Sequence, residues 1–174
     1  MNNDDKLITA LFVDNEKAGD AVGDLKEKGY TKNISVITRD DTDGEVKTQE
    51  IKDETGDGAI SGAATGGVLG GLTGLAAGAI SLVVPGVGPL VVTGPLVATW
   101  GLTGGALGAL AGGLVGALVD AGVSQEEAEQ YESRIMEGDV LVAVTTDDEH
   151  VDEVKEILDN HDAMDSTTRQ YASA

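Results

Sequence analysis

The chain predicts an α+β fold cut in two by a long insertion, on three observations. Two segments 133 residues apart repeat one strand-then-helix pattern, the 62 residues between Asp57 and Asp120 carry no Asp, Glu, Lys, Arg or His, and both flanks are acidic. The charge pattern alone sets the boundaries: 1–57 is the first half of the domain, 58–121 the insertion and 122–174 the second half.

In the first half, Leu7 to Val13 is apolar on both sides, Leu7, Leu11 and Val13 against Ile8, Ala10 and Phe12. A strand with one wet face would alternate with polar residues, so this one predicts a central strand whose two faces are covered, by other parts of the chain or by a second subunit. A helix follows, with Ala18, Ala21, Val22 and Leu25 at helical spacing. Asp14, at the strand-to-helix turn, has the short acceptor side chain that caps free helix amides. The next strand is "NISVITRD" (33–40), and Asp43-Gly44 marks a turn after it. Asp41, Asp43, Gly44 and Glu50 match positions 3, 5, 6 and 12 of a calcium loop counted from Arg39. A cation at the first ligand position defeats that match, and the segment reads as a turn.

The second half repeats the pattern. Laying 140–162 over 7–29 aligns Ala143 with Ala10, Asp147 with Asp14, Glu149 with Glu16 and Leu158 with Leu25. Val140 to Val144 is the second central strand, Val151, Val154, Ile157 and Leu158 the apolar helix stripe, and 164–171 the closing strand. Ahead of this unit, Ser124 followed by Glu127 forms a capping-box signature for a helix with Ala128, Tyr131 and Ile135 on one face. Two βαβ units of this size make a ferredoxin-like split βαβ domain, with an antiparallel sheet and helices on one face.

The insertion has a glycine register: Gly62, Gly66, Gly70, Gly74 and Gly78, then Gly104, Gly108, Gly112 and Gly116. Spacing by four puts each set on one helix ridge, where missing side chains let backbones approach closely. These nine glycines are the candidate self-association and membrane residues, on two apolar helices at about 60–84 and 96–119 joined by a Pro-Gly turn. Each interior glycine costs about 0.8–1 kcal/mol against alanine, so the seven of the first helix cost about 6 kcal/mol, which only close packing or a bilayer offsets. Twenty-four residues at about 1.5 Å each reach about 36 Å, enough to cross a hydrocarbon core of about 30 Å. The acidic flanks offer neither a positive-inside signal nor attraction to anionic lipid.

Other chemistry is thin. With 31 acidic against 11 basic residues and a formal net charge of -20, the chain repels nucleic acid. It has no Cys, and His150 and His161 are too far apart for a metal pair on one helix turn. The glycine run lacks the Lys of a Walker loop, and no nucleophile-and-base set stands out, so neither catalytic residues, cofactor nor metal is expected. "MNNDDK" lacks a secretory signal, which points to the cytoplasm or the cytoplasmic face of a membrane.

The first unit "LITALFVDNEKAGDAVGDLKEKGY", the inserted "GAISGAATGGVLGGLTGLAAGAISLVVPGVGPL" and above all "AGVSQEEAEQYESRIMEGDVLVAV" resemble the bacterial heat-induced general stress proteins of the YflT type and related low-temperature-induced proteins. The resemblance implies a stress-response protein of the cytoplasm or membrane surface with no established enzymatic activity. The expected function is therefore non-enzymatic self-association through a glycine-zipper hairpin at a membrane, with the chain itself and the lipid bilayer as partners. A soluble homo-oligomeric cage or filament with the hairpins inside is the first alternative, a small-ligand-binding module the second.

Overall fold

The structure, a computed structural model, describes residues 5–39, 80–84, 88–96 and 105–170. The Asp43-Gly44 turn with the calcium-loop comparison, and the glycine run Gly62 to Gly78, lie outside the described residues.

The fold is α+β around one antiparallel sheet. Its strands are β1 (Lys6–Phe12), β2 (Ile34–Arg39), β3 (Ile80–Val84), β4 (Gly88–Thr93), β5 (Val140–Thr146) and β6 (Met164–Gln170), in the order β3-β4-β2-β5-β1-β6. Among the described residues the helices are α1 (Asn15–Glu27), α2 (Gly105–Asp120), α3 (Gln125–Glu137) and α4 (Val151–Asn160). The two repeat strands lie side by side, β1 against β5 from Lys6 opposite Thr146 to Phe12 opposite Val140. Both have neighbours on each side and are buried almost throughout, as their two-sided apolar pattern requires. Val13 departs from the expectation: β1 ends at Phe12, and Val13 is 61% exposed at the turn before the helix cap.

The caps stand where the sequence puts them. Asp14 accepts from the Glu16 amide at 2.8 Å, and Asp147 accepts from Glu149 and His150 at 3.1 Å each, opening the short 3-10 turn Asp148–His150 ahead of α4. Ser124 caps α3, with the Glu127 amide pointing at its hydroxyl. Gly138 ends α3 at φ 110°, a left-handed position that favours glycine.

Each sheet face has its own cover. On one, Ile8, Ala10, Phe12, Val36, Val142 and Val144 meet Ala18, Val22 and Leu25 of α1 and Val154 and Leu158 of α4. On the other, Leu7, Leu11, Ile37, Leu90, Val92 and Leu141 meet Leu114, Ala117 and Leu118 of α2 and Ala128, Tyr131 and Ile135 of α3. The expectation of helices on one face is thus corrected: the chain covers both faces of β1, β5 and β2 with its own helices, because strands apolar on both sides need a cover on each.

The expected helical hairpin is corrected over its middle. Residues 80–84 and 88–93, read as the end of one helix and a turn, form a β-hairpin that joins the sheet beside β2. "ISLVV" and "GPLVVT" are short, rich in β-branched residues and bounded by Pro and Gly, the composition of a buried strand. Among the described residues the second helix is present over Gly105–Asp120 and breaks at Gly113, whose φ of 64° and ψ of -161° are not helical. At the end of β4, Gly94 has φ 86°, and a Cβ there would lie 2.0 Å from the Ile34 carbonyl oxygen. Only glycine lets the chain pass so close to β2.

Candidate functional site

Of the nine ridge glycines, Gly62, Gly66, Gly70, Gly74, Gly78 and Gly104 lie outside the described residues, and Gly108, Gly112 and Gly116 are on α2. Beyond the break, α2 turns Leu114, Ala117 and Leu118 into the sheet and leaves Val115 and Gly116 half-buried and Val119 40% exposed. A Cβ on Gly116 would meet nothing within 4 Å, so among the described residues no backbone approaches it closely. Among the described residues no helix is long and apolar enough to cross a membrane.

Two polar clusters emerge that the sequence did not announce. The first is embedded in the face covered by α2 and α3. Thr9, fully buried in the middle of β1, shares a 2.9 Å hydrogen bond with the Tyr131 hydroxyl and receives Arg169 Nη2 at 3.4 Å. Arg169, on β6, also donates to both Glu127 oxygens, at 3.3 and 3.1 Å. Beside it a groove of about 480 Å³ runs between α3 and β6, with Leu11, Tyr131 and Met164 as its apolar wall and Gln130, Arg134 and Thr167 at its rim. The hydrogen bond from Ser124, and then the Arg169 charge, hold the Glu127 carboxyl below its ordinary range. A carboxylate so stabilised is a weaker base than a free one. Arg134 is drawn off to Asp139, with Nε 2.7 Å from Oδ2 in a contact too skewed to count as a hydrogen bond, leaving a charge pair.

The second cluster sits where α1 ends and α4 begins. Tyr30 donates to Glu153 at 2.9 Å and Lys28 donates to the other Glu153 oxygen at 3.1 Å. His150 Nδ1 lies 2.6 Å from Asp147, and its ring stands edge-on to Tyr30 with centroids 6.3 Å apart. These groups border a cleft of about 420 Å³ that Asn33, Thr145 and Asp5 complete. Partial burial, reinforced by the Glu153 carboxylate, pushes the Tyr30 hydroxyl up to about 12, so at neutral pH it is a fixed donor. The Tyr30 hydrogen bond and then Lys28 keep Glu153 ionised. Each group is taken up by a neighbour within the cluster, and together they tie the α1–β2 turn to α4. His161, the other histidine, pairs with Asp24 of α1 at 2.8 Å. Among the described residues no three His, Asp or Glu side chains gather to hold a metal ion.

No family of known proteins, no curated protein and no solved structure matches the chain. The signal for the first cluster was present but weak: Thr9 is the only polar residue between Leu7 and Val13, and a lone hydroxyl in a buried strand needs a partner. That partner, Tyr131, comes from 122 residues away, and no local pattern names it.

Proposed function

We propose that this is a non-enzymatic, self-associating protein whose glycine-rich, charge-free segment is buried against other copies of the same chain. One observation carries the reading. The described helices already cover both faces of the central strands β1, β5 and β2, and we read the 22 charge-free residues 58–79 as not needed for that core. An apolar, glycine-rich run without a polar face has to be buried against something else.

Sheet topology favours protein over a bilayer crossing. A single crossing by 58–79 would leave β2 and β3 on opposite sides of the membrane, yet β4 joins both of them in one sheet. Two crossings need about 40 apolar residues, and 40–57 is charged throughout. Contact with a membrane then means lying on or dipping into one leaflet, which the -20 charge opposes at an anionic surface. The domain that carries the segment we read as ferredoxin-like: the order β6-β1-β5-β2, with α1 and α4 on one face, supports a split βαβ unit extended beyond β2 by the β3-β4 hairpin. The resemblance to general stress proteins supports expression under stress and a non-enzymatic role.

The test is a ridge comparison by light scattering and cross-linking. Gly70→Leu and Gly108→Leu should lower the assembled mass, because a bulky side chain forces two backbones apart by several Å. Leu72→Ala and Leu75→Ala, which remove apolar area but leave close approach intact, should lower it much less. The reverse order would replace the zipper by unspecific hydrophobic association, and a wild-type chain monomeric at every concentration would remove self-association altogether.

A further inference from the structure

We infer a second, strand-mediated interface: the edge strand β3 pairs antiparallel with β3 of a second copy, about a two-fold axis at Leu82. The inference rests on the reading of the chain as self-associating and supplies a contact distinct from the glycine ridge.

The sheet has two edges, and they are built differently. β6 carries Asp165 and Arg169, has Asp165 in the left-handed region at φ 52°, and shifts register against β1 between Thr9 and Leu11. Charge, twist and irregularity are the devices by which proteins keep an edge from pairing. β3, "ISLVV", has no charge, no proline and an unbroken register of five pairs with β4. Among the described residues it has a strand on one side only.

The backbone groups that face outward follow from Pro89. Val83 stands opposite Pro89, which has no N–H to give, so that pair is of the type that exchanges no hydrogen bonds. Pair types alternate along an antiparallel ladder. Ile80, Leu82 and Val84 therefore bond to β4, whereas Ser81 and Val83 direct N–H and C=O to the open edge. A two-fold at Leu82 sets Ser81 of one copy against Val83 of the other, twice. Four backbone hydrogen bonds close in register, with Leu82 facing Leu82 between them.

Charge selects a second copy as the occupant. Two chains of -20 repel over most of their surface, but β3 carries no carboxylate and the sequence has none from 58 to 119. The guarded β6 edge cannot continue the sheet, so pairing stops at a closed dimer and does not run on into a fibre.

The full-length chain tests this, and its lack of cysteine makes a cysteine trap clean. Leu82→Cys puts two thiols across a pair whose Cα atoms are about 4.5 Å apart, within disulfide reach. Oxidation should give a covalent dimer reversed by reductant, whereas Ser81→Cys and Val83→Cys, each opposite a different residue, should not cross-link. Val83→Pro removes an outward N–H and spares the β3-β4 ladder, so in sedimentation equilibrium the smallest assembly should fall twofold in mass with circular dichroism unchanged. An assembly that keeps its mass in Val83→Pro and gives no Leu82→Cys dimer overturns the pairing and leaves the zipper standing. A Val83→Pro chain that unfolds more easily at constant mass also overturns it, because residues of the same chain then occupy the edge. A monomeric wild type sinks both readings.

Discussion

The two faces of the sheet differ in one helix: α3 on the second face is amphipathic like α1 and α4, and α2 beside it is not. On the α1/α4 face each helix is amphipathic, with Ala18, Val22, Leu25, Val154 and Leu158 inward and Asp20, Asp24, Asp152 and Glu156 exposed. On the other face α2 has no charged residue from Gly105 to Val119 and still leaves Val119 to the outside. A helix with a polar outer side has finished its work once it covers a sheet. α2 has not, and its apolar exterior continues the uncharged character of the run that precedes it. The difference teaches that the insertion has two tasks: Leu90, Val92, Leu96, Leu114, Ala117, Leu118 and Ala121 help complete the second face, and the proposed self-association assigns the charge-free remainder to a partner.

The largest expected effect comes from breaking the strand hairpin that supports the second face. Gly94→Ala sets a methyl 2.0 Å from the Ile34 oxygen at a backbone angle that alanine resists. It should cost about 4 kcal/mol or more in urea unfolding, if the chain folds at all. A smaller loss would mean that β4 does not hold its place beside β2. Next, Leu118→Ala and Leu25→Ala probe one fully buried leucine under each face. Each should cost about 3 kcal/mol. Equal losses in chemical denaturation mean that α2 is as firmly seated as α1, whereas a loss below about 1 kcal/mol for Leu118→Ala alone would reduce the insertion's cover to loose contact.

Much of the first face was legible because its signals are local. Asp14 and Asp147 announce caps within three residues of the amides they bind, as Ser124 does for α3 on the second face, and the helix stripes repeat every three or four positions. The second face was half legible. That β1 and β5 are apolar on both sides requires a cover, but the cover's identity is a long-range matter. In 80–93 the pull of the four-residue glycine spacing upstream masked a strand composition that was there to read: Val83, Val84, Val91 and Val92 between Pro and Gly. The polar cluster was least legible, since Arg169 reaches Thr9 across 160 residues.

That cluster gives the next smaller effect. Tyr131→Phe removes the hydroxyl bonded to buried Thr9 and keeps the ring packed between α3 and the sheet. A hydrogen bond lost inside a core costs about 1–2 kcal/mol when one partner is left short. Thr9 retains Arg169 Nη2 at 3.4 Å, so the loss should fall at the lower end. Pairing Tyr131→Phe with Thr9→Val in a double-mutant cycle separates the bond from the packing. Additive losses would show that the two side chains do not interact.

The smallest effect belongs to the α1/α4 side, in the exposed pair His150 and Asp147. The Asp147 hydrogen bond and charge raise His150 above its ordinary 6.5, and the His150 hydrogen bond, aided by the capped amides, lowers Asp147 below 3.8. A histidine raised on folding adds stability that is full below 6.5 and fades as pH rises through its folded value. An aspartate lowered on folding adds stability that is full above 3.8 and fades as pH falls through its folded value. The pair is therefore worth most between about pH 4 and 6.5 and loses its ionic part on both sides of that window. Both groups are at the surface, so salt should weaken the effect. Histidine resonances followed by NMR should show His150 titrating above 6.5, and Asp147→Asn should return it toward that value. Asp147→Asn also weakens the cap of the 3-10 turn, so His150→Gln, which leaves the amide contacts of Asp147 in place, isolates the charge. If the raised titration persists in Asp147→Asn, the neighbouring carboxylates Glu149 and Glu153 hold the proton instead, and the Asp147 contact serves only as a cap.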